Sequence, residues 1–222
     1  MSIKSASSLF VIDFNGVLLK RAKNLTEREK ARNLFHIPNY ESKSEDVFMR
    51  PHLVMLSEFF KSNKDFCDYA FWTSATEVNA KLLYGFVKRA GFINPKFLWN
   101  QNLCEIIGHT SVKPLFLKDL SKVWKEYETE YLKSNIILID DDDYKSEHKE
   151  NFIHIDKYDV TTEDSFNDDA LKRLVKYLEK LKLDIQEKRH IDCISFIKMN
   201  SFKNFRVANT NVENNEENTQ KT

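Results

Sequence analysis

The sequence predicts a parallel α/β domain, a central sheet with helices packed on both of its faces. Three short apolar runs, at residues 9–12, 69–72 and 136–139, have the composition of buried strands. Segments with helical periodicity separate these runs along the chain. Strands that alternate with helices are typical of a parallel sheet, because the crossover between two parallel strands is usually a helix.

The predicted strands share a feature at their carboxyl ends, where each stops at polar residues. Residues 9–12 run into Asp13 and a tight Asn15-Gly16 pair, residues 69–72 into Thr73 and Ser74, and residues 136–139 into Asp140. Helices are predicted over residues 50–60, 78–90, 117–131 and 168–183. The last of these has leucine and valine at spacings of three and four, so we expect it to pack on the sheet and close the domain.

The length of 222 residues and the 41% hydrophobic content favour one core. We expect a short N-terminal extension over residues 1–8, one domain over residues 9–200 and a disordered polar tail over residues 201–222. Residues 20–48 are polar and weakly periodic, which is consistent with a flap or an irregular insertion beside the first strand.

Composition excludes several classes of protein. Lys plus Arg and Asp plus Glu both number 34, so no net charge favours nucleic acid or an anionic membrane as a partner. The three cysteines lie far apart without a CxxC pair, which argues against a zinc site or a disulfide framework. The first apolar run is too short for a signal peptide or a membrane span. We therefore expect a protein of the cytoplasm or the nucleus.

The polar strand ends indicate phosphate chemistry, because ligands of open parallel sheets bind beyond the carboxyl ends of the strands. Asp13 offers a nucleophilic carboxylate, Asp140 and Asp141 offer oxygen ligands for a hard cation, and Thr73 and Lys118 can neutralise phosphoryl oxygens. Taken singly, each residue also has a plain structural interpretation. The aspartates and Thr73 suit turns and helix caps, and residues 140–143 suit a solvated acidic loop.

The order of the motifs resembles a known family. Residues 11–18, Val-Ile-Asp-Phe-Asn-Gly-Val-Leu, resemble the first motif of the haloacid dehalogenase (HAD) superfamily, normally Asp-x-Asp-x-(Thr/Val). The HAD fold is a Rossmann-like parallel sheet with helices on both faces. Four further segments resemble its FCP/SCP-like branch, the NLI-interacting-factor-like phosphatases: Arg50-Pro51, Phe71-Trp72-Thr73-Ser74-Ala75, residues 113–121 and Ile137-Leu138-Ile139-Asp140-Asp141. The resemblance covers roughly residues 9–183.

The resemblance implies a role for each matched residue. Asp13 corresponds to the nucleophile that forms an aspartyl-phosphate, Thr73 and Ser74 to the phosphate-binding turn, and Lys118 to the lysine that stabilises the phosphoaspartate. Mg²⁺ would be held by Asp13, Asp140, Asp141 and the backbone carbonyl of Asn15. The branch lacks a large cap, which leaves the site open to a phosphoserine or phosphothreonine side chain of a protein or peptide.

Two positions depart from the family pattern. Asn15 replaces the second carboxylate of the first motif, and an amide cannot exchange protons with a leaving group or with water. Asp142-Asp143 replaces the usual Ser-Pro, which predicts either tighter metal binding or repulsion of substrate. Two hypotheses follow: a phosphatase with reduced turnover, or a pseudophosphatase that serves as a phosphoprotein-binding or scaffold module.

Overall fold

The computed structural model describes residues 8–206. The strands of this part are β1 (Ser8–Ile12), β2 (Leu19–Ala22), β3 (Tyr40–Glu41), β4 (Asp46–Met49), β5 (Cys67–Trp72), β6 (Leu98–Trp99), β7 (Glu105–His109), β8 (Pro114–Leu117), β9 (Ile136–Asp140) and β10 (Phe152–His154). The helices are α1 (Leu25–Asn33), α2 (Leu53–Ser62), α3 (Glu77–Arg89), α4 (Ser121–Glu126), α5 (Ala170–Gln186) and α6 (Cys193–Met199). No helix in this part is both long and apolar enough to cross a lipid bilayer.

The central sheet confirms the predicted fold class. It has five parallel strands in the order β10-β9-β1-β5-β6, with β1 at its centre. Every residue of β1 and β9 is buried, which explains why these strands are continuous apolar runs rather than alternating ones. The three strands predicted from the sequence are β1, β5 and β9, and they are consecutive in the sheet, in the order β9-β1-β5.

Side chains that alternate along β1 supply the two faces of the sheet. Phe10 and Ile12 point into the larger core, which α2, α3, α5 and α6 complete. Leu9 and Val11 point into a smaller core, where α4 contributes Val123. Helices therefore cover both faces, as the alternation of strands and helices predicts.

The predicted helix over residues 117–131 is wrong in most of its length. Leu117 ends strand β8, and α4 spans only Ser121–Glu126. Lys118 directly follows this strand and does not begin a helix, and its backbone N–H donates to the carbonyl of Lys145. Asp119 then accepts the backbone N–H of Ser121, a local side-chain bond that starts α4 later than periodicity suggests.

The insertion between β1 and α2 is more regular than its composition indicates. Strands β2, β4 and β3 form a small antiparallel sheet with α1 beside it. At the other end of the domain, α5 is followed by α6 and by a turn that buries Phe202 against Tyr177. The packed region therefore extends past residue 200 into the first residues of the tail expected over residues 201–222. Ser8, the last residue of the extension expected over residues 1–8, begins β1. The remaining residues of the two expected segments, 1–7 and 207–222, lie outside the described residues.

A buried arginine joins three segments at the carboxyl edge of the sheet. Arg50 pairs bidentately with Asp168, with both N···O distances at 2.8 Å. Its other donors bind the carbonyls of Gly16 at 3.1 Å, Val17 at 3.2 Å and Asp156 at 2.7 Å. The loop after β1, the loop after β10 and the start of α5 are thereby held by one side chain.

Substitution of Arg50 should destabilise the whole domain. We expect Arg50→Met to lower the free energy of unfolding by about 3–5 kcal/mol, because Asp168 and three carbonyls lose a buried donor. Urea denaturation followed by circular dichroism measures the loss. Arg89→Met, at an exposed position of α3, is the matched control and should stay within about 0.5 kcal/mol of the wild type. Equal effects of the two substitutions would contradict this role of Arg50.

Candidate active site

The polar ends of the three predicted strands meet at one edge of the sheet. Strand β1 lies between β5 and β9, so Asp13 has the end of β5 on one side and Asp140 on the other. The backbone N–H of Asp13 donates to the carbonyl of Ile139 at 3.1 Å, which continues the β1–β9 pairing up to the carboxylates. Thr73 follows β5 directly and is also buried. The topology thus places Asp13, Thr73 and Asp140 at the same edge of the sheet.

Lys118 connects two of the carboxylates. Its fully buried ammonium donates to Asp13 Oδ1 at 2.7 Å and to Asp140 Oδ2 at 2.6 Å. Burial by itself lowers the pKa of a lysine, but the two carboxylates outweigh it and raise the pKa of Lys118 above its ordinary value. Lys118 is therefore a fixed positive charge at the centre of the site.

Asp140 orients the loop that follows β9. While Oδ2 binds Lys118, Oδ1 accepts the backbone N–H of Asp141 at 2.9 Å and of Asp142 at 3.2 Å. Both oxygens are thus used within the protein. The main role of Asp140 is therefore to position the neighbouring carboxylates, and its oxygens are less available to a ligand.

Asp141 lies against the turn after β1. Gly16 has φ +93°, and a Cβ at this glycine would stand 2.1 Å from Asp141 Oδ2. Only a residue without a side chain leaves room for the Asp141 carboxylate here. The nearest cation of the described residues is the half-exposed Lys157, whose Nζ is 3.8 Å from Oδ2.

Oxygens of Asp13, Asp140 and Asp141 lie within 4.8 Å of one another. Burial, followed by the charges of Asp13, Asp140 and Asp142, raises the pKa of Asp141 to about 8. Burial also raises the pKa of Asp13, although Lys118 opposes the shift. Carboxylates that repel one another in a buried site have the donor chemistry of a hard divalent cation site, and the free oxygens of Asp13 and Asp141 fit that use.

A second lysine, which the motifs do not indicate, lies beside the turn after β5. The Nζ of Lys145 donates to Ser74 Oγ at 3.1 Å, and its side chain is buried. Thr73 Oγ accepts the backbone N–H of Ala75 at 3.2 Å, which shapes the same turn. The only sequence signal for Lys145 is its place five residues after the strand end at Asp140, in a loop whose path the sequence does not determine.

Asn15 and the extra acidic residues occupy different surroundings. Asn15 Oδ1 accepts the backbone N–H of Arg21 at 3.1 Å, so the amide links the first turn to β2. Asp143 is exposed and pairs with His154 at 2.9 Å, and Asp142 Oδ2 accepts the hydroxyl of Tyr144 at 3.2 Å. Of the two extra acidic residues, Asp142 is therefore the one expected either to tighten metal binding or to repel substrate, because its charge adds to that of Asp141.

Comparisons with known proteins identify the family and the fold. The family model described as NLI interacting factor-like phosphatase matches residues 8–189. No curated protein sequence matches the chain. Two solved structures of Fcp1 are similar in fold: a variant of the fission yeast RNA polymerase II CTD phosphatase bound to beryllium fluoride, with a TM-score of 0.57, and Fcp1 described as an essential RNA polymerase II CTD phosphatase, with a TM-score of 0.55. Both are 12% identical over 83% of this chain, which spans 65% and 64% of theirs.

The contact between Gly16 and Asp141 predicts a position that tolerates no side chain. Gly16→Ala should lower the free energy of unfolding by several kcal/mol, on the order of what a buried clash and backbone strain cost together. The new Cβ would require Asp141 and the loop to move, and alanine is strained at this positive φ. Gly85→Ala is the matched control, since a Cβ there meets nothing within 4 Å in the middle of α3. The control should gain roughly 0.5–1 kcal/mol from helix propensity. Thermal unfolding of both variants measures the difference, and a stable Gly16→Ala protein would refute the packing described here.

Proposed function

Because this chain belongs to the NLI interacting factor-like phosphatase family, we propose that it is a Mg²⁺-dependent phosphatase of phosphoserine or phosphothreonine proteins that works through phospho-Asp13 with slow turnover. The observation that carries the proposal is the buried ammonium of Lys118 on both Asp13 and Asp140, at the strand ends where a phosphate would bind. An acidic group held by a fixed cation next to a polar turn suits nucleophilic attack on phosphorus.

The first chemical step uses the carboxylate of Asp13. One of its oxygens forms a bond to phosphorus, the bond from phosphorus to the substrate oxygen breaks, and the leaving alkoxide takes a proton from solvent water, because Asn15 cannot supply one. Lys118 holds Asp13 in place and offsets the negative charge that accumulates on the phosphoryl oxygens. Thr73 and Ser74 lie on the adjacent turn and would bind those oxygens.

Mg²⁺ would be held by Asp13, Asp141 and the carbonyl of Asn15, with Asp140 orienting the loop. When bound, it would neutralise carboxylate and phosphate charges that otherwise repel each other. The Asn15 carbonyl accepts none of the backbone hydrogen bonds of its loop, which supports its availability as a ligand. The cluster of buried carboxylates supports the same assignment.

Asn15 limits the second chemical step. Water must attack the phosphorus of phospho-Asp13 and lose a proton while the bond from phosphorus to the Asp13 oxygen breaks, which releases inorganic phosphate and the free carboxylate. The amide of Asn15 cannot accept that proton. Its Oδ1 is also occupied by the backbone N–H of Arg21. A carboxylate at position 15 could keep that hydrogen bond and restore proton transfer, so we attribute the slow turnover to this one substitution.

Membership of the family supports the proposed substrate class. Fcp1, which shares the fold, is described as a phosphatase of the RNA polymerase II CTD. From this likeness we take a phosphorylated protein or peptide as the partner, and the choice of phosphoserine or phosphothreonine rests on the family resemblance of the motifs. Cys67, Cys104 and Cys193 are all free thiols, which supports the reducing cytoplasm or nucleus as its compartment.

The alternative is a pseudophosphatase that binds phosphoprotein without efficient hydrolysis or serves as a scaffold. Asn15 is the observation that favours it. The two functions share the phosphate site and differ in turnover, so kinetics and not binding separates them.

Mg²⁺ should stabilise the folded protein by mass action. At about 100 times its dissociation constant, a ligand that binds only the folded state adds about 2.7 kcal/mol, which should raise the melting temperature by several degrees. Asp141→Ala should abolish the shift. Asp143→Ala is the control, because Asp143 is exposed and pairs with His154. If Asp141→Ala keeps the shift and Asp143→Ala loses it, the metal lies in the outer acidic loop instead.

Replacement of Asn15 should change the two chemical steps unequally. With an aryl phosphate, whose leaving group departs without a proton, the wild type should give a brief burst and then slow turnover. Mass spectrometry should detect a phosphorylated protein with the added mass on Asp13. Phosphoserine peptides, whose alkoxide needs a proton, should react far more slowly. Asn15→Asp should raise the steady-state rate by something on the order of 10-fold or more.

Asp13→Asn is the control for these kinetics and should abolish both burst and turnover. A flat rate in Asn15→Asp, with activity still lost in Asp13→Asn, would show that another residue supplies the base. Activity that responds to neither change would leave the binding module as the better hypothesis.

A further inference from the structure

Lys145 is held in the site by contacts at both ends of the residue. Its backbone carbonyl accepts the N–H of Lys118 at 2.8 Å, so the two lysines lie on adjoining segments. Its Nζ reaches Ser74 Oγ at 3.1 Å, next to the buried Thr73. The residue is only 6% exposed, although lysine is usually among the most exposed residue types.

No carboxylate lies within ion-pair distance of the Lys145 ammonium in residues 8–206. Lys118 pairs directly with two carboxylates, whereas Lys145 makes its hydrogen bond to the neutral hydroxyl of Ser74. The face of Tyr144, with its centroid 5.2 Å from Nζ, and the more distant carboxylate of Asp13 offset part of the charge. A buried ammonium without a direct ion pair is costly, and an oxyanion bound at this turn would reduce that cost.

We propose that Lys145 is a second phosphate-binding cation, which together with Ser74 holds a phosphoryl oxygen beside the turn after β5. The assignment deepens the proposed function and rests on it. It gives the site a preference for dianionic phosphate monoesters, because a second fixed ammonium beside the phosphoryl oxygens attracts two negative charges more strongly than one.

The charges of the neighbouring groups predict that Lys145 affects cation binding and oxyanion binding differently. Asp13, Asp140, Asp141 and Asp142 carry four negative charges when all are ionised, and Lys118, Lys145 and a bound divalent cation together balance them. Without Lys145 the same site with the cation would carry one net negative charge and would attract a dianion less. Lys145 therefore has opposite effects on the two ligands: it weakens cation binding and strengthens oxyanion binding.

The opposite effects allow a direct test with inorganic tungstate as the oxyanion probe and Mg²⁺ as the cation probe. Isothermal titration calorimetry of the full chain measures Mg²⁺ first and then tungstate at saturating Mg²⁺. Lys145→Met keeps the apolar stem and removes the charge, and Lys145→Arg restores it. Lys149→Met is the matched control, because that exposed lysine binds the carbonyl of Asp143 outside the site.

Lys145→Met should weaken tungstate binding roughly 10- to 100-fold, the range of a hydrogen bond to a charged group, while Mg²⁺ binds at least as tightly as in the wild type. Lys145→Arg should recover part of the loss, and Lys149→Met should change neither affinity. If Lys145→Met binds tungstate like the wild type while Lys118→Met does not, the phosphatase proposal stands and the role of Lys145 is refuted. Weaker binding of both ligands with a lower melting temperature would make Lys145 structural and also refute it. A wild type that binds neither ligand would overturn both proposals.

Discussion

The ion pairs of Lys118 are the interaction on which the site depends. Parallel strands deliver the carboxylates of Asp13 and Asp140 to one buried edge, where their repulsion would oppose folding if no cation lay between them. One ammonium at 2.7 Å and 2.6 Å is shared by these two carboxylates and offsets one of their two charges, and Asp141 has no strong partner in the described chain. A divalent cation would offset the negative charge that remains. The stability of the domain without metal and the proposed affinity for metal would therefore both follow from this charge arrangement.

The scaffold that holds these charges is shared with the rest of the domain. Arg50 ties the turn after β1 to the loop after β10 and to the start of α5, and the carbonyls it binds, Gly16 and Val17, directly follow the first motif. The same Gly16 leaves the space that Asp141 occupies. The path of the turn after Asp13 is thus determined by a buried arginine from one side and by an aspartate from the other. Substitutions that disturb the site geometry should therefore also disturb the packing of α5 on the sheet.

In the proposed function, the site would bind phosphate well and move protons poorly. Lys118, Lys145, Thr73 and Ser74 would contact a phosphoryl group bound at the strand ends. Asn15 stands where proton transfer would be expected, and its side chain instead joins the turn to β2. Strong binding of the phosphoryl group combined with slow release of the covalent phosphate would allow a long-lived phosphorylated state of Asp13. That combination would also suit a protein whose function lies in binding, because both functions need the same electrostatic site.

The pattern of the sequence by itself determined the parallel sheet, its three central strands and the meeting of Asp13, Thr73, Asp140 and Asp141, because buried strands have a local apolar signature and their carboxyl ends must share one edge. It also placed Lys118 at the site through family resemblance, but assigned it to a helix over residues 117–131 that is mostly absent. Only the tertiary structure decided that Lys118 follows a strand, that residues 20–48 form a small sheet, and that Lys145 reaches Ser74. These features depend on hydrogen bonds between separate segments, such as Lys118 to Lys145, Lys145 to Ser74 and the pairing of β2 with β4, which no local periodicity encodes.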